Sequence, residues 1–190
     1  MGELELPPET LMTVDEFIDW CKARRDDTRY ELVDGRPVAM GLDSRQHNRC
    51  KKRTIAAFDA AIGAAGLPCE AFVDGIGVSR ATRSFRIPDI VVDCGDTGDD
   101  QAYLAARPVI VVEILSRSTE KRDVHTKLNE YFDIESVQHY LIVSPDDRYV
   151  LHHRRDERVG IATAMVRDGE ITLDPPGLTL SVCEFFEEAA

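Results

Sequence analysis

No apolar stretch in this chain is long enough to cross a bilayer. The longest, such as Val109 to Val112, fall far short of the roughly 20 residues a spanning helix needs. The N-terminal run Met1 to Pro8 is acidic where a signal peptide is basic, which points to the cytoplasm. Basic charge is scarce: 23 Lys and Arg stand against 35 Asp and Glu, a net charge of −12. A uniformly basic nucleic-acid-binding surface is therefore excluded. The five cysteines, Cys21, Cys50, Cys69, Cys94 and Cys183, include no Cys-x-x-Cys pair and are odd in number. That spacing suggests neither a zinc site nor a disulfide framework and predicts free thiols. Internal repeats, low-complexity tracts and long linkers are lacking too. At 190 residues, 43% hydrophobic and 31% charged, the composition is that of one ordinary soluble domain, residues 1–190, with a sizeable core.

The hydrophobic pattern predicts an α/β domain with a mixed sheet. Thr13-x-x-Glu16 ahead of Phe17 is a capping box that opens a first helix. Asp34-Gly35 between Tyr30–Val33 and Pro37–Met40 marks a hairpin. Residues 44–65 form a long second helix stopped by Gly66 and Pro68. Strands follow at 69–73, 76–80 and 86–93. Pro108 to Leu115 is an apolar run broken only by Glu113, the mark of a strand covered on both faces. A helix capped by Ser118 or Thr119 runs to Phe132 with Val124, Leu128 and Tyr131 as its apolar stripe. Further strands lie at 138–143 and 149–153, and 159–166 is expected to pair with 170–173 across Arg167-Asp168-Gly169.

Two carboxylates stand out because they border β-rich apolar strands. Asp89 follows Pro88 and opens Ile90-Val91-Val92, and Glu113 ends the run from Val109. A buried carboxylate needs compensation, by a cation or a raised pKa. Neighbouring strands would let both acids share a Mg²⁺ or Mn²⁺ ion, which keeps waters and room for a phosphate. Lys127 follows Asp123 by four residues on the predicted helix, so both occupy one face. The sparse basic residues are grouped, at Arg45, Arg49, Lys51, Lys52 and Arg53 and again at Arg80, Arg83 and Arg86. Each group by itself is equally a solvated face. Of the five histidines only His47, at the start of the second helix, is retained as a phosphate contact. His152 and His153 point to opposite faces of a strand.

The ordered set Asp89, Glu113-Ile114-Leu115-Ser116, Asp123-x-x-x-Lys127 and Tyr131 resembles the PD-(D/E)XK nuclease superfamily. Within that superfamily it is most similar to the Uma2 family. Tyr30 to Gly35, His47 and Gln138 to Val143 extend the resemblance over most of the chain. It implies a restriction-endonuclease-like mixed central β-sheet flanked by helices, with the acids on adjacent strands. It implies that Asp89 and Glu113 bind the metal, joined by the Ile114 carbonyl, and that Glu31 is a third catalytic carboxylate. The superfamily lysine two residues after the second acid is replaced here by Leu115, and Lys127 on the next helix stands in for it. Arg117 occupies a position where the family has proline, and it is a candidate phosphate contact together with His47 and Arg86. The expected activity is metal-dependent hydrolysis of DNA phosphodiesters, by a homodimer if both strands are cut. The alternatives are an inactive nuclease-fold module for binding or assembly, favoured by the acidic charge, and a small-molecule hydrolase.

Overall fold

The computed structural model describes residues 10–26, 28–96, 98–116 and 122–186. Helix α1 (Val14–Ala23) opens on the expected capping box: the Thr13 amide donates to Glu16 Oε2 at 2.8 Å and the Glu16 amide to Thr13 Oγ1 at 3.3 Å. Two donors without helical partners are thereby satisfied. The hairpin of β1 (Tyr30–Val33) and β2 (Arg36–Ala39) turns at Asp34 and Gly35, both at positive φ. That is the twist a two-residue hairpin turn requires. Helix α2 (Arg45–Ala65) is capped by the Ser44 hydroxyl and closed by the left-handed Gly66. It buries Cys50, Thr54, Ala57, Phe58 and Ile62 along one stripe, and that stripe begins with His47 and Lys51.

The strands β3 (Glu70–Val73), β4 (Val78–Ala81), β5 (Ser84–Arg86), β6 (Ile90–Asp93) and β7 (Pro108–Ile114) precede helix α3 (Arg122–Phe132). After it come β8 (His139–Ser144), β9 (Tyr149–Asp156), β10 (Gly160–Val166), β11 (Glu170–Leu173) and β12 (Leu178–Ser181), then a single 3-10 turn at Val182–Phe185. The central six-stranded sheet has the order β10-β9-β8-β7-β6-β3. Within it β7 and β8 are parallel and the other pairings antiparallel. Helix α3 makes the crossover that the parallel pair demands. A four-stranded sheet, β2-β1-β5-β4, and the hairpin β11-β12 complete the strands. The expected mixed α/β architecture is present.

Alternation along β7 decides what each face meets. Ile110, Val112 and Ile114 pack with Phe58 and Ile62 of α2, whereas Val111 packs with Tyr131 of α3. Glu113 is in phase with Val111, so it faces α3. Val91 belongs to that same α3-side cluster, and Asp89 is two residues before it.

Three sequence-based expectations are corrected. The strand expected over 86–93 is two strands in different sheets, because Pro88 has no amide to give a ladder. That break sets Asp89 at the junction between sheets. Strand β10 pairs with β9 rather than with Glu170–Leu173, which pairs instead with Leu178–Ser181. The short turn before Gly160 brings β9 and β10 together first. Lastly, Cys69 and Cys94 form a disulfide. They flank the facing residues Glu70 and Asp93 of β3 and β6, a proximity that spacing in the sequence does not reveal. Cys21, Cys50 and Cys183 are free, as expected. The proposed caps Ser118 and Thr119 lie outside the described residues, as does the side chain of Asp123.

Candidate metal and nucleic-acid site

A cleft of about 510 Å³ opens between the sheets and is lined by Glu31, His47, Asp89, Glu113, Ile114 and Lys127, among others. With Arg86, which also lines it, seven of the sequence-derived candidates share one concavity. The two acids meet through strand register. Ile90 lies opposite Val112 in the antiparallel β6–β7 pair, so one step further Asp89 stands opposite Glu113. Such cross-strand neighbours carry Cβ atoms about 5 Å apart. The Ile114 amide fixes the junction by donating to Asp89 Oδ2 at 2.7 Å.

Glu113 is held from α3. Its Oε1 accepts from Lys127 Nζ at 3.0 Å and from the Tyr131 hydroxyl at 2.5 Å. Lys127 and Tyr131 are four residues apart, so they reach the same spot from one helix face. Lys127 also approaches Glu31 Oε1 at 3.7 Å. Glu31 is pinned in turn by the Ile87 amide at 3.0 Å and Arg86 Nη1 at 2.9 Å. The rest of the Arg86 guanidinium makes a bidentate pair with Glu130, at 2.6 and 3.0 Å.

Asp89 is held from α2. Its Oδ1 accepts from His47 Nε2 at 2.9 Å and lies 2.8 Å from Lys51 Nζ. Lys51 reaches Asp43 at 2.9 Å and Asp74 at 3.0 Å as well. Lys51 is only 3% exposed, so this is a buried cation among three carboxylates. Ligand atoms of Asp43, His47 and Asp89 all lie within 4.8 Å of one another.

The two acids titrate in opposite directions. Burial would raise the Asp89 pKa, but His47 and then Lys51 hold it below the ordinary carboxylate value. Glu113 is raised: its burial outweighs the attraction of Lys127, and the charges of Asp89 and Glu31 push the same way. Burial and the Glu113 charge also raise Tyr131 well above an ordinary phenol, so it stays a donor. Lys51 would lose affinity for its proton through burial, but its three aspartates more than reverse this.

A carboxylate offers about four lone-pair sites. On Asp89, two contacts fall on Oδ1 and one on Oδ2. On Glu113, both hydrogen bonds fall on Oε1. Among the described residues, each acid therefore keeps acceptor capacity on its second oxygen.

The site differs from the expected one in its basic residues. His47 was expected to contact phosphate, but it is buried and its Nε2 is engaged by Asp89. Its Nδ1 is buried without a partner. Arg86 is also buried and saturated by Glu31 and Glu130, a holding role rather than an open phosphate contact. Arg117 lies outside the described residues. Sequence reading gave Asp43, Asp74 and Glu130 no role, placed Lys51 only in a basic group, and marked Tyr131 in the helix stripe and the family resemblance without a contact to Glu113. The signal for Lys51 was available: it follows His47 by four residues on the stripe that continues into Thr54 and Phe58.

The fold is a nuclease-like α/β fold. The model of the Uma2 family, described as "putative restriction endonuclease", matches residues 14–185. The chain belongs to that family. Among curated proteins it is 26% identical over 177 residues to an uncharacterized protein of Synechocystis sp., covering 92% of this chain and 91% of that one. Among solved structures, a "putative nuclease belonging to DUF820" from Anabaena variabilis superposes with a TM-score of 0.70. It shares 17% identity and covers 92% of this chain and 97% of its own. Among the described residues, no helix is long and apolar enough to cross a membrane.

Proposed function

We propose that this protein is a metal-dependent endonuclease acting on DNA, with one Mg²⁺ or Mn²⁺ held by Asp89, Glu113 and the Ile114 carbonyl. What carries this reading is that Asp89, one residue before β6, extends the register that sets Ile90 opposite Val112 and so comes to Glu113, each acid with an oxygen still able to accept among the described residues. The donor chemistry fits: hard oxygen ligands suit Mg²⁺ and Mn²⁺. The Glu113 pKa is raised first by burial and then by the charges of Asp89 and Glu31, and a bound cation would offset both. When bound, the ion supplies Lewis acidity toward a phosphate oxygen and lowers the pKa of a coordinated water.

The protein's own groups do the rest. Lys127, charged and steered by Glu113 and Glu31, offsets negative charge that builds on the phosphate oxygens. Tyr131 fixes the rotamer of Glu113, and His47 fixes that of Asp89. Arg86 and the Ile87 amide hold Glu31 toward Lys127. Arg117, next to the cleft residue Ser116, remains our candidate for a phosphate contact. Cutting both strands with one site per chain calls for a homodimer.

Nicking of supercoiled plasmid in Mg²⁺ or Mn²⁺ tests the proposal. Asp89→Ala and Glu113→Ala are expected to abolish nicking, while Cys183→Ala, at an exposed free thiol, retains it. Lys127→Ala is expected to slow it about 100-fold, the scale of one lost transition-state donor, with Mn²⁺ affinity nearly unchanged. A second reading is a nuclease-fold module that binds without cutting. It is favoured by the net charge of −12 and by the pairing of Lys51, Arg86 and Lys127 with acids inside the site. Absence of cleavage of any DNA or RNA in either metal would select it.

A further inference from the structure

Lys51 has no part in the chemistry above, yet it lies behind three aspartates that line the cleft, and it is more enclosed than Arg86 or Lys127. Its side chain is 4% exposed, and its ammonium lies 2.8 Å from Asp89 Oδ1, 2.9 Å from Asp43 Oδ2 and 3.0 Å from Asp74 Oδ1. An ammonium has three N–H donors, and here each meets one carboxylate. Those carboxylates come from three separate places: the loop before α2, the turn after β3 and the junction before β6. Nearby, Arg29 lies 3.3 Å from Asp74 Oδ1 and 3.9 Å from Asp43 Oδ2, and it is 42% exposed. Three chain segments that converge on one point with hard oxygen donors are what a divalent ion would need. Donor atoms of Asp43, His47 and Asp89 already have a spacing compatible with one.

Asp89 is shared. One of its oxygens binds the ammonium, and the other keeps capacity toward Glu113. In two-metal phosphodiesterases, a clamp of two cations spans the attacking and leaving oxygens.

We propose that Lys51 is a resident cation occupying a second cation position beside the Asp89/Glu113 pair. The cleft then admits one divalent ion instead of two, and Asp89 offers that ion a single oxygen, Oδ2. The proposal rests on reading Asp89 and Glu113 as the ligands of the first ion, and its test separates the two ideas.

The test is the number of Mn²⁺ ions bound per chain, measured by calorimetric titration and by electron paramagnetic resonance of free Mn²⁺. The full chain is compared with Lys51→Met, which keeps the stem and removes the charge. The expected counts are one for the wild type and two for Lys51→Met, with Mn²⁺ raising the melting temperature of the variant more than that of the wild type. A folded Lys51→Met protein that binds no more ions than the wild type overturns the proposal, as does a wild type that binds two. None in the wild type and one in the variant would sustain the role of Lys51 while removing Asp89 and Glu113 as a metal pair. If Lys51→Met does not fold without metal, adding Asp74→Asn removes one of the three carboxylate charges around the lost ammonium and keeps Asp43, His47 and Asp89. The same extra ion is expected there, and its absence overturns the proposal equally.

Discussion

Replacing Arg86 with methionine removes a guanidinium that is 5% exposed and bonded to two carboxylates. Nε and Nη2 hold Glu130 at 2.6 and 3.0 Å, and Nη1 holds Glu31 at 2.9 Å. Glu130 and Glu31 are themselves buried, so water cannot replace the lost bonds. Removing one partner of a buried ion pair costs about 3–5 kcal/mol, chiefly because the remaining charge is left uncompensated. For a chain of this size each kcal/mol moves the melting temperature by about 2–4 °C. Arg86→Met should therefore melt about 12 °C below the wild type in metal-free buffer at neutral pH. Adding Glu130→Met should recover part of that loss, because Glu31, the acid that remains, keeps the Ile87 amide at 3.0 Å and Lys127 at 3.7 Å. The measurement is urea and thermal unfolding of the two single variants, the double variant and the wild type. Had Arg86 been an open phosphate contact, its loss would leave melting unchanged and lower the salt dependence of DNA binding by about one charge. Stability within about 1 kcal/mol of the wild type would refute the holding role.

Two further outcomes follow from buried groups away from the cleft. His139 Nε2 donates to the Pro175 carbonyl at 3.0 Å, so its Nδ1 accepts from His152 Nε2 at 2.9 Å. Burial lowers both pKa values to about 4. The unfolded histidines bind protons near pH 6.5 and the folded ones only near 4, so stability should fall as pH drops from about 6.5 toward 4. The loss is on the order of 3 kcal/mol per histidine. In urea unfolding across that window, His152→Gln should show a shallower slope; an unchanged slope would contradict the assignment. The Cys69–Cys94 bridge spans a sequence separation of 25 residues, for which chain entropy gives about 3 kcal/mol. Reduction, or Cys94→Ser, should lower the unfolding free energy by about that much; an unmoved urea midpoint under reductant would count against the bridge.

Much of the fold was legible because its signals are local. Thr13 and Glu16 are three residues apart, Asp34-Gly35 carries its own turn geometry, and the β7 run declares burial on both faces. Glu31, Asp89, Glu113 and Lys127 were found together because the family resemblance supplied their convergence. The apolar runs around Asp89 and Glu113 marked those two as unusual acids, but nothing local in the sequence says that they meet each other, Glu31 or Lys127. What escaped reading depends on contacts between distant segments. The partners of Lys51 lie 8, 23 and 38 positions away, and Arg86 is tied to Glu31 and Glu130 at separations of 55 and 44. A basic residue in a basic cluster reads as solvated until the opposing acids are placed around it. The Cys69–Cys94 pair and the β9–β10 pairing failed likewise, because strand neighbours are chosen by the whole sheet.

The central claim is that Asp89 and Glu113 jointly hold a divalent ion, and a crystal soaked in Mn²⁺ tests it most directly. The account predicts one anomalous peak in the cleft, bonded to Asp89 Oδ2, Glu113 Oε2 and the Ile114 carbonyl, with Lys51 still seated among its three aspartates. A peak that engages neither Asp89 nor Glu113, or a cleft without one at saturating Mn²⁺, would contradict it.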